Sequence, residues 1–252
     1  MKQFQTSPLQ GKTQNQQLWL HAEGWAHFPD LVHGFSQRLP SMHHSDAGAP
    51  YIPTFAGLAP HTLTQVHGNN IVHIKGMERG QTKAEADGMF TADAEVLLGI
   101  LTADCVPVLM VAPQQRIVIA LHAGWRGTQK AICLRAVELY TKKWRLDPSQ
   151  LWVALGPSIS GCCYEVGYEV GDPLFQRWGD GEKEAWHVQG NGKGLLDLRA
   201  INKAQLTWAG IPDEQIQSVG PCTYCNRVEF TSYRREGPQS GRQISVIGWK
   251  PS

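Results

Sequence analysis

Two continuous apolar runs, residues 106–111 and 117–121, flank the short stretch Ala112-Pro113-Gln114-Gln115, and this pattern constrains the chain more than any other. Runs of that length rich in Val, Ile and Leu read as strands, and a connection of that size is common in hairpins. If Val111 pairs with Arg116, the same register carried back along both strands sets Cys105 opposite His122. Directly opposite residues point to one face with Cβ atoms about 4.5–5.5 Å apart, close enough to share a metal ion or a proton. Cys105 follows Asp104, and His122 precedes Ala-Gly-Trp-Arg-Gly, so both lie where a strand gives way to a loop carrying charge. Such a pair admits two chemistries: zinc ligation by thiolate and imidazole, or a thiolate nucleophile with its imidazole base. A third ligand would decide between them.

Further strand-like runs cover residues 63–66, 71–74, 96–101, 151–155 and 243–247. Helical periodicity predicts one helix from Thr128 to Trp144 with Thr128 as N-cap, and a second over 198–208 between Asp197 and Gly210. Strands interspersed with helices give an α/β or α+β fold. Only 18% of residues are charged, while Gly and Pro number 26 and 15, which argues for many turns and against a helical bundle. With 23 Lys plus Arg against 22 Asp plus Glu, the formal charge of +1 supplies no general attraction to nucleic acid or an anionic membrane. Any anionic substrate must be caught locally. Residues 1–17 are polar and glutamine-rich with no apolar core, so they are not a secretory signal. They are expected to be poorly ordered, and the chain to be cytoplasmic. The most apolar stretch, 96–111, contains Thr102, Asp104 and Pro107, and an Asp at mid-bilayer costs about 2.5–3.5 kcal/mol. It is core, not a membrane span. The six cysteines are too sparse for a disulfide scaffold and read as thiols or metal ligands.

Several longer segments together resemble the YfiH-like family, whose members are variously named laccase-domain protein, polyphenol oxidase and purine nucleoside phosphorylase. They are Gln65-Val66-His67-Gly68, Thr102-Ala103-Asp104-Cys105-Val106-Pro107, His122-Ala123-Gly124-Trp125-Arg126-Gly127-Thr128, Gly156-Pro157-Ser158-Ile159 with Tyr164-Glu165-Val166-Gly167, and Ser232-Tyr233-Arg234-Arg235 with Gly241-Arg242. The resemblance implies one α/β (α+β) domain over residues 18–252, with a central mixed sheet flanked by helices and a relation to the catalytic domain of cytotoxic necrotizing factors. It also implies one zinc ion held by His67, Cys105 and His122, which makes His67 the third ligand. Three protein ligands leave one tetrahedral position open, the arrangement of catalytic zinc.

The activities implied are phosphorolysis of adenosine, inosine and methylthioadenosine, and deamination of adenosine, so the partners are a purine nucleoside and phosphate. Deamination needs an acid/base carboxylate, and phosphorolysis an anion site furnished by arginine. Asp104, Arg126 and Glu165 are the candidate catalytic residues, and Arg38, Arg234 and Arg235 the candidate substrate-binding residues. Alternatives are a copper-dependent polyphenol oxidase, a cysteine hydrolase cutting amide bonds in cell-wall precursors, and a binding protein that keeps the metal fold without turnover. One departure from the family pattern is residues 39–48, Leu-Pro-Ser-Met-His-His-Ser-Asp-Ala-Gly, where a Gly-Gly-Val-Ser turn and an Asn-Leu-Gly element are common. That region is expected to wall the substrate pocket. Cys222-x-x-Cys225 could be half of a structural zinc site or a redox pair, but an all-thiolate site needs two more cysteines and the adjacent Cys162 and Cys163 have the wrong spacing, so the motif reads as simple thiols. His43-His44 with Asp46 reads as a polar loop, and Gly190-Asn191-Gly192-Lys193-Gly194 as a turn.

Overall fold

The computed structural model describes residues 18–39, 57–76 and 81–250. The polar segment 1–17, almost all of the divergent stretch, and His43, His44 and Asp46 lie outside the described residues. The expectation of one central sheet is met by two mixed sheets that share a core. The first runs in spatial order β1 (Trp19–Leu20), β2 (Leu31–Ser36), β15 (Gln243–Trp249), β7 (Leu97–Thr102), β3 (Pro60–Thr64) and β5 (Gln81–Glu85). The second runs β14 (Ile216–Ser218), β10 (Trp152–Leu155), β8 (Val106–Ala112), β9 (Ile117–Ala123), β6 (Gly88–Thr91) and β4 (Ile71–His73). A small antiparallel sheet adds β11 (Glu165–Gly167), β13 (Lys193–Leu196) and β12 (Trp186–Gly190). The last two strands are joined at Asn191 and Gly192, which both have positive φ as a type I′ turn demands.

Strands β8 and β9 are buried along their whole length because each face meets a different layer. Leu109, Val111, Val118 and Ala120 pack toward the first sheet, against Phe35, Leu98 and Ile100. Val108, Met110, Ile119 and Leu121 pack on the helices, against Ile132, Ala136 and Tyr140 of α2 (Ile132–Trp144), Leu174 of α3 (Tyr168–Trp178) and Ile201 of α4 (Leu198–Trp208). Fully burying a side chain of this size contributes about 1.5–3 kcal/mol, so the two-faced hairpin is the strongest organiser of the fold. The helix α4 begins and ends where expected, with the Asp197 carboxylate accepting from the N–H groups of Arg199 and Ala200.

Two expectations are corrected. The hairpin register differs by two residues: Ala112 pairs with Ile117 across the turn 113–116, so His122 faces Pro107 and Cys105 sits just before the strand. An even shift keeps Cys105 on the same side, so the predicted proximity survives. The helix expected from Thr128 to Trp144 is two helices, α1 (Trp125–Gln129) and α2, broken at Ala131 in the left-handed region. Thr128 is therefore no N-cap but a buried residue within α1. Its hydroxyl accepts from Asn202 Nδ2 at 3.0 Å and its carbonyl from Gln205 Nε2 at 2.8 Å, both on α4. Gln205 is thus a second donor to a carbonyl that also accepts from the Ala131 N–H at 2.9 Å, and the two side chains tie the break to α4.

Candidate metal centre and its wall

Strand β3 ends at Thr64, and the Gln65 side chain continues its pairing: Nε2 donates to the Leu101 carbonyl and Oε1 accepts from the Leu101 N–H, at 2.7 and 2.9 Å. This steers the chain into a turn where His67 has φ 58°. A non-glycine residue in that region is uncommon and must be held. The holder is Asp87, fully buried between β5 and β6. Its carboxylate accepts from the N–H groups of Val66, His67 and Gly68 at 3.3, 2.9 and 2.5 Å, and from His122 Nδ1 at 2.7 Å. One carboxylate thus fixes the turn bearing His67 and orients the ring of His122, so that its other nitrogen, Nε2, is turned toward Cys105. Burial pushes Asp87 upward, but His122 and the N–H groups of Gly68 and His67 outweigh it and hold the carboxyl below its usual range.

His122 stands near the end of β9 on the face shared with the first sheet, and its ring centroid lies 4.7 Å from that of His67. Cys105 completes the group, and the ligand atoms of His67, Cys105 and His122 all lie within 4.8 Å of one another. Gly124 closes the cradle: a Cβ there would sit 2.9 Å from Cys105 Sγ and 3.0 Å from His67 Nδ1. At Gly127 a Cβ would sit 2.8 Å from the Gly68 carbonyl oxygen. The two histidine motifs meet at these glycines. Two imidazoles and one thiolate at this separation suit a single ion with bonds of about 2.0–2.3 Å, zinc foremost. Carboxylate support behind a histidine is also the usual second partner of a metal ligand.

Burial alone would push the Cys105 thiol up, but the charge of His122, with hydrogen bonds from His122 and His67, draws it down to about 6. Burial likewise opposes charge on His122, yet Cys105 and then Asp87 raise it to about 9. Protein stripped with a chelator should therefore hold a thiolate–imidazolium pair across neutral pH. As pH rises through about 6 the thiol loses its proton, so iodoacetamide labelling of Cys105 in stripped protein is expected to reach its plateau near neutrality. A midpoint near 9 would show that the imidazoles do not stabilise the thiolate. Labelling of zinc-loaded protein is expected to be slow; rapid labelling there would favour the cysteine-hydrolase alternative.

The other candidate residues separate into two groups. Asp104, with φ 83°, is buried and accepts from Thr223 Oγ1, Ser232 Oγ and the Arg234 N–H at 2.6, 2.9 and 2.7 Å. That arrangement suits a clamp on the loops beside Cys105 better than an acid/base group. Arg38 and Arg235 both reach Glu236 Oε1 and the Phe230 carbonyl, and Arg235 also donates to the carbonyls of Thr223 and Tyr224. These contacts hold both guanidinium groups against the protein, though Arg38 Nε is buried without a hydrogen-bond partner. The Glu165 carboxylate pairs with Lys193 at 2.7 Å on the surface, while its carbonyl accepts from Arg234. Arg234 lies 5.2 Å from the centroid of the Tyr164 ring, and Arg126 lies over the Trp125 ring at 4.2 Å. Neither forms an ion pair with a carboxylate among the described residues. Burial, followed by the negative charge of Cys105 and Asp104, raises Tyr164 to about 12 against the opposing arginines 234 and 126, so its hydroxyl remains a donor at neutral pH. Asp87 and Tyr164 are not among the candidates that the sequence offers; Tyr164 lies in the motif Tyr164-Glu165-Val166-Gly167, where Glu165 carries the charge that marks an acid/base residue.

Comparison with known proteins places these residues in context. A family model described as multi-copper polyphenol oxidoreductase laccase matches residues 54–250. The chain is similar to purine nucleoside phosphorylase YlmD of Geobacillus stearothermophilus, with 37% identity over 191 residues that cover 73% of this chain and 70% of that one. It is 36% identical over 161 residues to adenosine deaminase RL5 from an unknown prokaryotic organism, covering 64% of this chain and 61% of that one. The crystal structure of YlmD from Geobacillus stearothermophilus aligns with a TM-score of 0.81 at 30% identity, over 95% of this chain and 98% of its own. The Bacillus licheniformis hypothetical protein YfiH aligns with a TM-score of 0.79 at 25% identity, over 92% and 97%. No helix among the described residues is long and apolar enough to cross a membrane.

Proposed function

The chain belongs to the laccase-like YfiH family, the one described as multi-copper polyphenol oxidoreductase laccase, and on that premise we propose that it is a zinc-dependent enzyme acting on purine nucleosides. The convergence of His67, Cys105 and His122 on one point, with Asp87 behind His122, is the observation that carries this reading. The names of the similar proteins, purine nucleoside phosphorylase and adenosine deaminase, supply the substrate class. Zinc held by the triad would supply Lewis acidity at neutral pH. The remaining roles belong to the chain. Arg126 and Arg234, unpaired with any described carboxylate, give the positive charge that an inorganic phosphate needs. The protonated Tyr164 hydroxyl can donate to a nucleoside oxygen or nitrogen, and Asp104 positions the turn that carries Cys105. In phosphorolysis a phosphate oxygen bonds to C1′ as the bond from C1′ to the purine nitrogen breaks, and the departing base takes up a proton. In deamination water adds to the base and ammonia leaves.

The test is incubation of zinc-loaded protein with adenosine, with and without phosphate, followed by product analysis. Adenine and ribose 1-phosphate are expected only with phosphate, and inosine in either case. Neither set of products, with zinc bound, would overturn the proposal. Arg126→Ala is expected to raise the phosphate KM about 10- to 100-fold, as befits a lost charge-assisted hydrogen bond of about 1.5–3 kcal/mol, while zinc content and deamination survive. Equal loss of both activities would make Arg126 structural.

A further inference from the structure

Four cysteines whose linear spacing argues against a common site are brought together by the fold. Cys162 and Cys163 lie in the turn after β10, and Cys222 and Cys225 in the turn after β14. An isolated parallel bridge between Ser158 and Cys222 holds the two turns side by side, and the Thr223 N–H donates to the Ser158 carbonyl at 3.1 Å. All four sulfurs lie within 4.8 Å of one another. Sγ of Cys162 is 3.5 Å from that of Cys163 and 3.7 Å from that of Cys225, and Cys163 is 3.2 Å from Cys225. Four thiolates around zinc with bonds of about 2.3 Å define a tetrahedron with edges of about 3.8 Å. Three near-equal separations describe sulfurs around a common centre; a set of bridges would divide them into pairs. The Ser160 N–H also points at Cys222 Sγ, at 3.4 Å, an added donor for a sulfur bearing charge. Adjacent Cys162 and Cys163 are badly spaced only along the chain, since a second turn from elsewhere in the sequence supplies the other two sulfurs.

We propose that Cys162, Cys163, Cys222 and Cys225 form a second, structural zinc site that ties the two turns together. With four protein ligands the site is closed, unlike the three-ligand triad. Its position defines its role. The first turn leads directly into Tyr164 and Glu165, and the second carries Thr223, whose hydroxyl binds Asp104 and whose carbonyl binds Arg235. An ion between them fixes the wall of the neighbouring site without touching substrate.

The test uses the whole chain, purified with reductant and zinc and then dialysed against metal-free buffer. Two zinc ions per chain are expected, falling to one in Cys222→Ser/Cys225→Ser and to one in His67→Ala. Cobalt loaded into His67→Ala protein isolates the second site and is expected to show intense sulfur-to-cobalt charge-transfer absorption with tetrahedral d–d bands, lost on adding Cys225→Ser. That single change, at an exposed cysteine, keeps the test available should the double variant fold poorly. Persistence of the cobalt–thiolate spectrum in His67→Ala supports this site whatever becomes of the triad. One zinc per chain that vanishes in His67→Ala and is unaffected by the double serine variant overturns the proposal. So does a wild-type mass two hydrogens lower under non-reducing, zinc-replete conditions, with the bridge mapped to these four cysteines.

Discussion

Asp87→Ala is expected to weaken zinc binding at the triad about 10- to 100-fold and to destabilise the fold by about 3–5 kcal/mol. The change strips three backbone N–H groups and one imidazole of their common acceptor. A buried donor left without a partner costs about 1–3 kcal/mol, and the partly exposed turn recovers some of that from water. Asp87→Asn keeps an acceptor oxygen but no charge, and its losses are expected to fall between those of wild type and Asp87→Ala. Zinc titration and denaturant unfolding, with and without chelator, separate the two effects. Wild-type values for both in Asp87→Ala would mean that the carboxylate supports neither the turn nor the ligand. The stability effect also has a definite pH sense. Because the folded-state pKa of Asp87 is lowered, its contribution is complete above the ordinary carboxylate range and disappears as pH falls through the lowered value. The gap between wild type and Asp87→Ala should therefore close in acid.

His67→Ala and His122→Ala are each expected to remove most of the zinc from the triad, since two ligands do not enforce a tetrahedral site. Measured with chelator present, however, the two variants should differ sharply in stability. His67 is exposed and touches Asp87 only through its backbone, so its loss is expected to cost about 1 kcal/mol or less. His122 is buried and paired, and its removal takes the imidazole partner from an Asp87 carboxylate left with only its backbone N–H donors, at about 3 kcal/mol. Elemental analysis with unfolding curves checks both halves. Unchanged metal content in either variant would mean that the triad is misassigned, and copper at or above zinc in wild type would favour the oxidase chemistry in the family's description.

The legible parts of this molecule are those whose signal is local. Continuous apolar runs marked the strands β8 and β9, and Asp197 with Gly210 marked both ends of α4. The hairpin register was not legible, because strands apolar on both faces lack the alternation that would select one pairing. Helix α3 was hidden by Pro173 in its interior, next to Asp172 and close to Gly171, where residue preferences argue against a helix that packing nevertheless supports. Asp87 carried no mark because its partners lie about 20 residues before it and 35 after it. Arg234 and Arg235 are adjacent and both basic, yet one faces Tyr164 and the other is wrapped in carbonyls; only the direction of α5 (Tyr233–Glu236) distinguishes them.

The triad is graded in exposure: His122 is buried, Cys105 intermediate and His67 open to solvent. Its ligands are therefore unequal in lifetime. His122 is mounted on a strand packed on both faces, and it can let go only when much of the core opens. His67 stands on a surface turn secured by one buried carboxylate, and it can swing aside while the rest of the fold stays closed. If the triad holds a metal as proposed, exchange is expected to proceed by one door, with His67 releasing first and rebinding last. The rate of exchange would then be set by the turn, and the affinity by the core.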